Sequence, residues 1–224
     1  MTTAIIVAAG KSERMGTGTD KAFLSLGNKP VVAWSLLAFE RSQEIDRIIL
    51  VVRKGQQIAA KAVAQMFGIS KLQAIVPGGA RRQESVQAGL AAADTDTRYV
   101  VIHDGARPCV DSGVIGEIAK LVKRMPAVTV GRRITDTVKR VERGSTVSKT
   151  EDRDKLWCVQ TPQAFQIKTL RAALNALGKD ETITDECQAV EKLGEPVKIY
   201  ESRSPNFKIT TVEDLQIANA LLVK

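Results

Sequence analysis

"TAIIVAAGKSERMGTGTDKAF", residues 3–23, begins as a β-branched apolar run and leaves it through a long loop with almost no apolar bulk. A short continuous apolar run ending in glycine reads as a strand buried on both faces, the kind found in parallel sheets. The run recurs in "DRIILVVR" (46–53), "LQAIV" (72–76), "RYVVIHD" (98–104) and "AVTVGR" (127–132). Helical spacing fills the intervals. Val32, Leu36 and Phe39 fall at i, i+4 and i+7, and Val114, Ile118 and Leu121 repeat that spacing after Asp111, an expected N-cap. Strands alternating with amphipathic helices predict an α/β fold, a doubly wound and mostly parallel sheet covered on both faces. Ligands of such sheets sit beyond the carboxyl ends of the strands. Four loops leave strands there, after Ala8, Val76, Ile102 and Val130, and they are expected to share one crevice.

The first loop has the chemistry of an anion site. Gly10, Gly16 and Gly18 allow turns that aim backbone N–H groups at a ligand, and Arg14 and Lys21 add full charges. It is not a P-loop, because no GK[ST] closes it, and GxGxxG is absent after the first strand. A surface loop rich in glycine and lysine is the alternative reading of these residues. "GGARRQESV" (78–86) follows the third strand, with Gly78 and Gly79 allowing close backbone approach and Ser85 near a helix start; a plain turn is the alternative. "IHDGARP" (102–108) puts Asp104 at a strand end, where a carboxylate suits Mg²⁺ or simply caps the strand, with Arg107 three residues on. His103 reads as a packed, hydrogen-bonded histidine rather than a base. Lys208, in "SPNFKITTVEDL" (204–215), is a cation within an expected apolar strand "FKIT" and is either an edge residue or functional.

Length and composition limit the alternatives. At 224 residues, 44% of them hydrophobic and 26% charged, the chain is expected to be a single domain with an excursion. The net charge of +8 suits either a nucleic acid or a phosphorylated small molecule. Basic residues are scattered and aromatics make up only 4%, so nucleic acid is not an expected partner. No apolar run approaches a membrane span, and "MTTAIIVAAG" lacks a basic leader, so a cytoplasmic protein without a membrane partner is expected. Cys109, Cys158 and Cys187, with one histidine, form neither a disulfide framework nor a zinc pattern.

The excursion spans 133–155, "RITDTVKRVERGSTVSKTEDRDK", two β-prone halves around Arg143-Gly144-Ser145. Few of its residues are apolar, and a lone ribbon is marginal in water, so this arm must pack on its own domain or on a second subunit. The second subunit is the favoured expectation, giving a homodimer. Helices are expected from Ile167, from Asp185 to Leu193 and at the C-terminus, the last started by a capping box of Thr211 and Asp214.

In order along nearly the whole chain, these motifs resemble the 2-C-methyl-D-erythritol 4-phosphate cytidylyltransferases of non-mevalonate isoprenoid synthesis. "AAGKSERM" resembles that family's AAGxGxRM, "DKAFLSLG" its PKQ[YF]LxxG, "GGARRQESV" its GGxxRxxSV and "IHDGARP" its HDAARP. "DTVK", "RDKLWCVQTPQAF" and "NFKIT" resemble DTxK, RxxLWxxQTPQxF and NxKxT. The resemblance implies a Rossmann-like nucleotidyltransferase that moves CMP from CTP onto methylerythritol phosphate, with Mg²⁺ as cofactor. It implies that Ala8, Ala9 and Gly10 lie against CTP, that Arg14 and Lys21 hold its triphosphate, and that Gly79 and Ser85 read cytosine and ribose. Asp104 would lie at the ribose and metal. Arg107, Thr161 and Lys208 would line the acceptor site, where Lys208 would clamp the reacting phosphates, joined by Thr137 and Arg153 from the partner's arm. Three residues depart from the pattern. Ser12 replaces a glycine, Ala22 replaces glutamine, and Asp20 replaces proline and sets a carboxylate beside Lys21, where it would oppose a triphosphate unless it points away. Gly105 replaces an alanine, a mild change. The alternatives are a ribitol 5-phosphate cytidylyltransferase, a sugar-1-phosphate nucleotidyltransferase and a catalytically idle nucleotide-binding protein.

Overall fold

The computed structural model describes residues 1–10, 20–178 and 181–223. In chain order it contains β1 (Thr2–Ala8), β2 (Ser25–Leu26), β3 (Lys29–Pro30), α1 (Val31–Arg41), β4 (Arg47–Val52), α2 (Gln57–Met66) and β5 (Leu72–Pro77). There follow α3 (Arg82–Ala91), β6 (Tyr99–Asp104), α4 (Ser112–Leu121), β7 (Ala127–Arg133), β8 (Lys139–Arg143) and β9 (Thr146–Thr150). The chain closes with β10 (Trp157–Gln166), α5 (Ile167–Ala176), α6 (Glu186–Lys192), β11 (Val197–Glu201) and α7 (Val212–Leu222).

Seven strands form one sheet in the order β11-β7-β10-β6-β1-β4-β5. Neighbours run parallel except β10, which is antiparallel to both β6 and β7. From β1 the chain steps outward to β4 and β5, then crosses back to β6 on the other side of β1. That reversal is the point at which open α/β sheets leave a crevice beyond their strand ends.

The period of two explains the double winding. Ala4, Ile6 and Ala8 of β1 face one layer with Leu50 and Val52 of β4, Leu36 and Phe39 of α1, and Ile115 and Ile118 of α4. Ile5 faces the other layer with Val51, Val86 and Leu90 of α3, Leu170 of α5 and Val190 of α6. Strands apolar on both sides therefore need helices on both sides. In α4 the fully buried stripe is Ile115, Ile118 and Ala119, while Val114 and Leu121 flank it as partly buried neighbours, one residue out of the predicted phase. Asp111 caps α4 by accepting hydrogen bonds from the N–H groups of Gly113 and Val114, as predicted.

The segment 206–210 corrects one expectation. "FKIT" is not a strand, and its backbone is bonded at single points instead. The Ile209 N–H donates to the carbonyl of Ala106 at 2.8 Å, and the carbonyl of Ile209 accepts from Lys21 Nζ at 3.2 Å. Its alternating apolar residues, Phe207 and Ile209, pack with Leu26, Val31 and Ala218 in a third small cluster under α7. The alternation that suggests a strand serves here to strap the segment across the end of the sheet.

Residues 133–155 contain the expected hairpin, with β8 and β9 antiparallel and every residue of both strands exposed. Gly144 takes a positive φ of 58° at its turn, which glycine adopts without steric cost. Among the described residues no helix is long and apolar enough to cross a membrane.

Gly89 sets how closely α3 lies on the sheet. A Cβ at this position would come within 2.5 Å of Ile5 Cγ2 and 3.2 Å of Val51 Cγ2, both on branched side chains fixed within strands. Alanine ordinarily favours a helix over glycine by about 1 kcal/mol. Gly89→Ala is nevertheless expected to destabilise the protein by roughly 1–2 kcal/mol, because overpacking a core outweighs that gain. Urea denaturation measures the difference, and a stabilised variant would show that α3 yields freely.

Candidate active site

The carboxyl ends of β1, β4, β5 and β6 enclose a cavity of about 370 Å³. Among the described residues six cations line it (Lys21, Arg53, Lys54, Arg81, Arg82 and Lys208), against two carboxylates, Asp20 and Asp104. Ala8, Ala9, Gly10, Gly79 and Ser85, named from the sequence, line the same cavity. Arg14 lies outside the described residues, as do Ser12, Gly16 and Gly18. Of the four loops expected to share the crevice, those after β1, β5 and β6 do so; β7 runs on to Arg133 and toward the arm, and its loop does not line the cavity. The end of β4 supplies Arg53 and Lys54 instead, because β4 lies between β1 and β5.

Close approach explains the paired glycines after β5. A Cβ on Gly78 would lie 2.5 Å from the Cβ of Ala9 and 2.6 Å from Ser85 Oγ, so a side chain there would close the gap between the first and third loops. Ser85 Oγ in turn accepts from the Gly79 N–H at 3.2 Å and bonds the carbonyl of Arg81, which holds the loop flat over the start of α3.

Lys21 stands on a 3₁₀ turn, Lys21–Phe23, and reaches the Ile209 carbonyl. Asp20 begins that turn. Its Oδ1 accepts from the Ala22 N–H at 3.1 Å, while Oδ2 is buried without a hydrogen-bond partner among the described residues. Burial pushes this carboxyl up from its ordinary value, against the opposing pull of the Ala22 N–H and of Arg53 and Lys21. The substitution of aspartate for proline thus leaves a turn-capping carboxylate at the cavity, and Ala22 beside it is packed into the core.

Asp104 is the centre of the charge arrangement. At the end of β6 it is 6% exposed, with Oδ1 3.1 Å from Arg82 Nε and Oδ2 2.8 Å from Lys208 Nζ; Arg107 Nε stands 3.7 Å away. Burial alone would raise the carboxyl pKa, but Arg82, Lys208 and Arg107 together overcome burial and hold it well below the carboxylate range. Asp104 is therefore ionised at neutral pH. Arg82 is itself anchored from behind, because Nη1 donates to both oxygens of Glu186 at 2.8 and 2.6 Å. Glu186 is completely buried, and burial pushes its pKa up. Burial would also lower the Arg82 pKa, yet the two carboxylates raise it above the ordinary arginine value.

A second cavity of about 300 Å³ adjoins the first and is lined by Arg107 and Thr161 together with Arg82, Asp104 and Lys208. The pairing of β10 with β7 shifts register between Gln160 and Gln163, and Thr161 lies within that shift. There its Oγ1 accepts from the Asp104 N–H at 3.0 Å and lies 3.1 Å from His103 Nδ1. His103 Nε2 lies 3.2 Å from the Arg107 carbonyl, which only accepts, so Nε2 carries the proton and Nδ1 accepts from the threonine hydroxyl. Burial lowers the His103 pKa to about 3, leaving it neutral. Arg107 Nη1 donates to the Asn206 carbonyl, and Asn206 Nδ2 donates to that of Thr161 at 2.7 Å, tying the strap of residues 206–210 to β10. Thr137 and Arg153 belong to neither cavity; both are exposed on the arm, where Arg153 bonds the Thr135 carbonyl.

The sequence reading missed Arg82 and Glu186. The first occupies the arginine of the quoted GGxxRxxSV pattern. The second betrays itself as an acid at the start of a helix whose neighbours Cys187, Ala189 and Val190 are all buried. Among the described residues no group of three or more His, Cys, Asp or Glu side chains is placed to hold a metal ion. A carboxylate has about four lone-pair sites, so Asp104, bonded once at each oxygen, retains room for one cation shared with a ligand's phosphates.

The family described as "IspD: 2-C-methyl-D-erythritol 4-phosphate cytidylyltransferase" matches residues 2–224. A relative of that enzyme name from Dehalococcoides mccartyi is 45% identical over 221 residues, 99% of this chain and 96% of the relative. Another, from Pelotomaculum thermopropionicum, is 42% identical over 221 residues, covering 98% and 93%. The solved 4-diphosphocytidyl-2C-methyl-D-erythritol synthase of Anaerococcus prevotii superimposes with a TM-score of 0.88 at 32% identity, covering 100% of this chain and 96% of that one. The 2-C-methyl-D-erythritol 4-phosphate cytidylyltransferase of Thermus thermophilus gives 0.81 at 30% identity, covering 99% and 98%.

The histidine makes this site acid-sensitive in a definite window. Unfolded His103 titrates near 6.5 and folded His103 near 3, so between these values the unfolded chain binds a proton that the folded chain does not. Stability therefore falls as pH drops from about 6.5, by up to ~1.4 kcal/mol per pH unit from this group. Denaturation between pH 7 and 4 should show that slope, and His103→Gln should flatten it. An unchanged slope in the variant would assign the acid sensitivity to other groups.

Proposed function

The chain belongs to the 2-C-methyl-D-erythritol 4-phosphate cytidylyltransferase family, and from that premise we propose how its two adjoining cavities carry out the reaction. The protein is a nucleotidyltransferase that moves CMP from CTP to 2-C-methyl-D-erythritol 4-phosphate, releasing pyrophosphate. A phosphate oxygen of the acceptor forms a bond to the α-phosphorus of CTP as the bond to the departing pyrophosphate breaks. The acceptor phosphate is mostly ionised at neutral pH, its second pKa being about 6, so the step asks for alignment and charge neutralisation rather than a base. A neutral, fully bonded His103 is consistent with that.

The observation that carries the reading is the single ionised Asp104 shared by both cavities, with Lys208 held on it between them. In this proposal the larger cavity takes CTP, with Ala8, Ala9 and Gly10 against it and Gly79 and Ser85 at its base and ribose. Arg14 and Lys21 hold the triphosphate. The smaller cavity takes the acceptor, with Arg107 and Thr161 on it and Lys208 spanning the two reacting phosphates. Mg²⁺ bound with the triphosphate, Asp104 its protein ligand, would supply further neutralisation of the phosphate charge. Thr137 and Arg153 would reach the acceptor from the arm of a second copy. A homodimer is supported by a hairpin whose strands are exposed on both faces, since an isolated ribbon is marginal in water. Cytoplasmic residence belongs to the same reading and rests on the sequence.

Pyrophosphate release from CTP and Mg²⁺ tests the substrate, with methylerythritol 4-phosphate, ribitol 5-phosphate and glucose 1-phosphate offered in turn. Turnover is expected with the first alone. Preference for ribitol 5-phosphate would keep the chemistry and change the acceptor, while CTP binding without turnover would make the chain a binder. Lys21→Ala is expected to lower kcat by at least about 100-fold, using ~3 kcal/mol as the usual worth of a preorganised charge in the transition state. Near wild-type turnover would remove Lys21 from the mechanism. Arg153→Ala should raise the KM for the acceptor and leave that for CTP unchanged, and equal effects on both would refute its assignment.

A further inference from the structure

Arg82 and Glu186 stand at the first positions of α3 and α6, 104 residues apart, and meet behind Asp104. Glu186 is fully buried, its two oxygens both bond Arg82 Nη1, and it lines neither cavity. A buried ion pair is a poor way to gain stability, because desolvating two charges offsets most of their attraction, and apolar replacements often fold as well or better. The pair therefore calls for a role other than holding α3 to α6.

Its geometry supplies one. With Nη1 held by Glu186, Arg82 reaches Asp104 through Nε alone, to Oδ1 at 3.1 Å, while its Nη2 is held buried and off the carboxylate. Oδ2 thereby keeps its hydrogen bond to Lys208 at 2.8 Å, with Arg107 Nε further off at 3.7 Å. Without the Glu186 anchor the guanidinium would be free to turn Nη2, unpaired among the described residues, onto Oδ2 beside Nε, completing the two-pronged arrangement that guanidinium and carboxylate prefer. Lys208 would then lose its partner at the junction of the two cavities.

We infer that Glu186 is a positioning residue for the cytidylyl transfer, anchoring Arg82 so that Asp104 divides its oxygens between Arg82 and Lys208 and Lys208 stays aimed at the reacting phosphates. Glu186 touches no substrate and acts through the sequence Arg82, Asp104, Lys208. The inference rests on the proposed use of Lys208. It predicts that losing Glu186 harms the chemical step while nucleotide binding, carried by residues at the far side of the larger cavity, persists.

The test is a double-mutant cycle on the full chain with CTP, Mg²⁺ and methylerythritol 4-phosphate, comparing wild type, Glu186→Gln, Arg82→Ala and the double variant. Glu186→Gln preserves shape and removes the charge. It should lower kcat by roughly 30- to 100-fold with the KM for CTP within about threefold of wild type, taking the loss of one oriented charge as the guide. The double variant should be no slower than Arg82→Ala alone, because Glu186 has nothing else to act through. Glu186→Asp, which keeps the charge at shorter reach, should recover at least about tenfold over Glu186→Gln. Should Glu186→Gln fail to fold, Glu186→Asp takes its place in the cycle, and the same non-additivity with Arg82→Ala is required. A kcat within threefold of wild type for Glu186→Gln, or losses that multiply in the double variant, would overturn the inference. An inactive wild type would instead overturn the proposed function and this inference with it.

Discussion

The buried carboxylate of Asp104 is the constraint around which the functional end of this protein is organised. An ionised acid with 6% exposure is tolerable only if cations surround it. Here they come from three separate parts of the chain: Arg82 at the start of α3, Arg107 after β6 and Lys208 on the strap. The cations need the carboxylate equally, because three positive groups gathered without it would repel one another before any phosphate arrived. One acid thus permits a concentration of positive charge that phosphates would otherwise have to be present to stabilise.

The sheet places that acid. β6 is the first strand laid down after the chain reverses direction across the sheet, so its carboxyl end faces the crevice beside the end of β1. Alternation then divides the labour of consecutive residues. His103 points into the layer of α1, where its ring lies 5.2 Å from that of Phe39, and Asp104 follows at the rim. The two remain coupled through Thr161, whose hydroxyl accepts from the backbone N–H of Asp104 and donates to the imidazole. A neutral histidine in this protein is a means of fixing a threonine and a strand end, and the chemistry passes it by.

Much of this was legible in the sequence because it depends on local pattern. The apolar runs have the length and β-branching of buried strands, and the residues at their ends, Ala9, Gly79, Ser85 and Asp104, fall on one crevice because every parallel strand ends on the same side of the sheet. Legibility failed where the answer depended on partners distant in the chain. The alternation of Phe207 and Ile209 looked like a strand but fits a cluster beneath α7, and among the described residues no strand pairs with it. The partnership of Arg82 and Glu186 could not be read from either motif alone, since a single basic or acidic residue at a helix start is ordinary. The contribution of Arg53 and Lys54 depended on strand order: only the placement of β4 between β1 and β5 brings its end under the crevice.

The strap of residues 206–210 carries a consequence for how the protein comes into being. Lys21, near the beginning of the chain, is bonded to Ile209, near its end, and Lys208 lies between that bond and Asp104. The strands that form the floor of the larger cavity all lie before residue 105, while β10, α5 and α6, which pair with them or cover them, come after residue 156. The lysine that joins the two cavities arrives only with the last tenth. The charge set is therefore a property of the finished tertiary structure, because Lys21, Asp104 and Lys208 meet only once the C-terminal segment has docked across the end of the sheet.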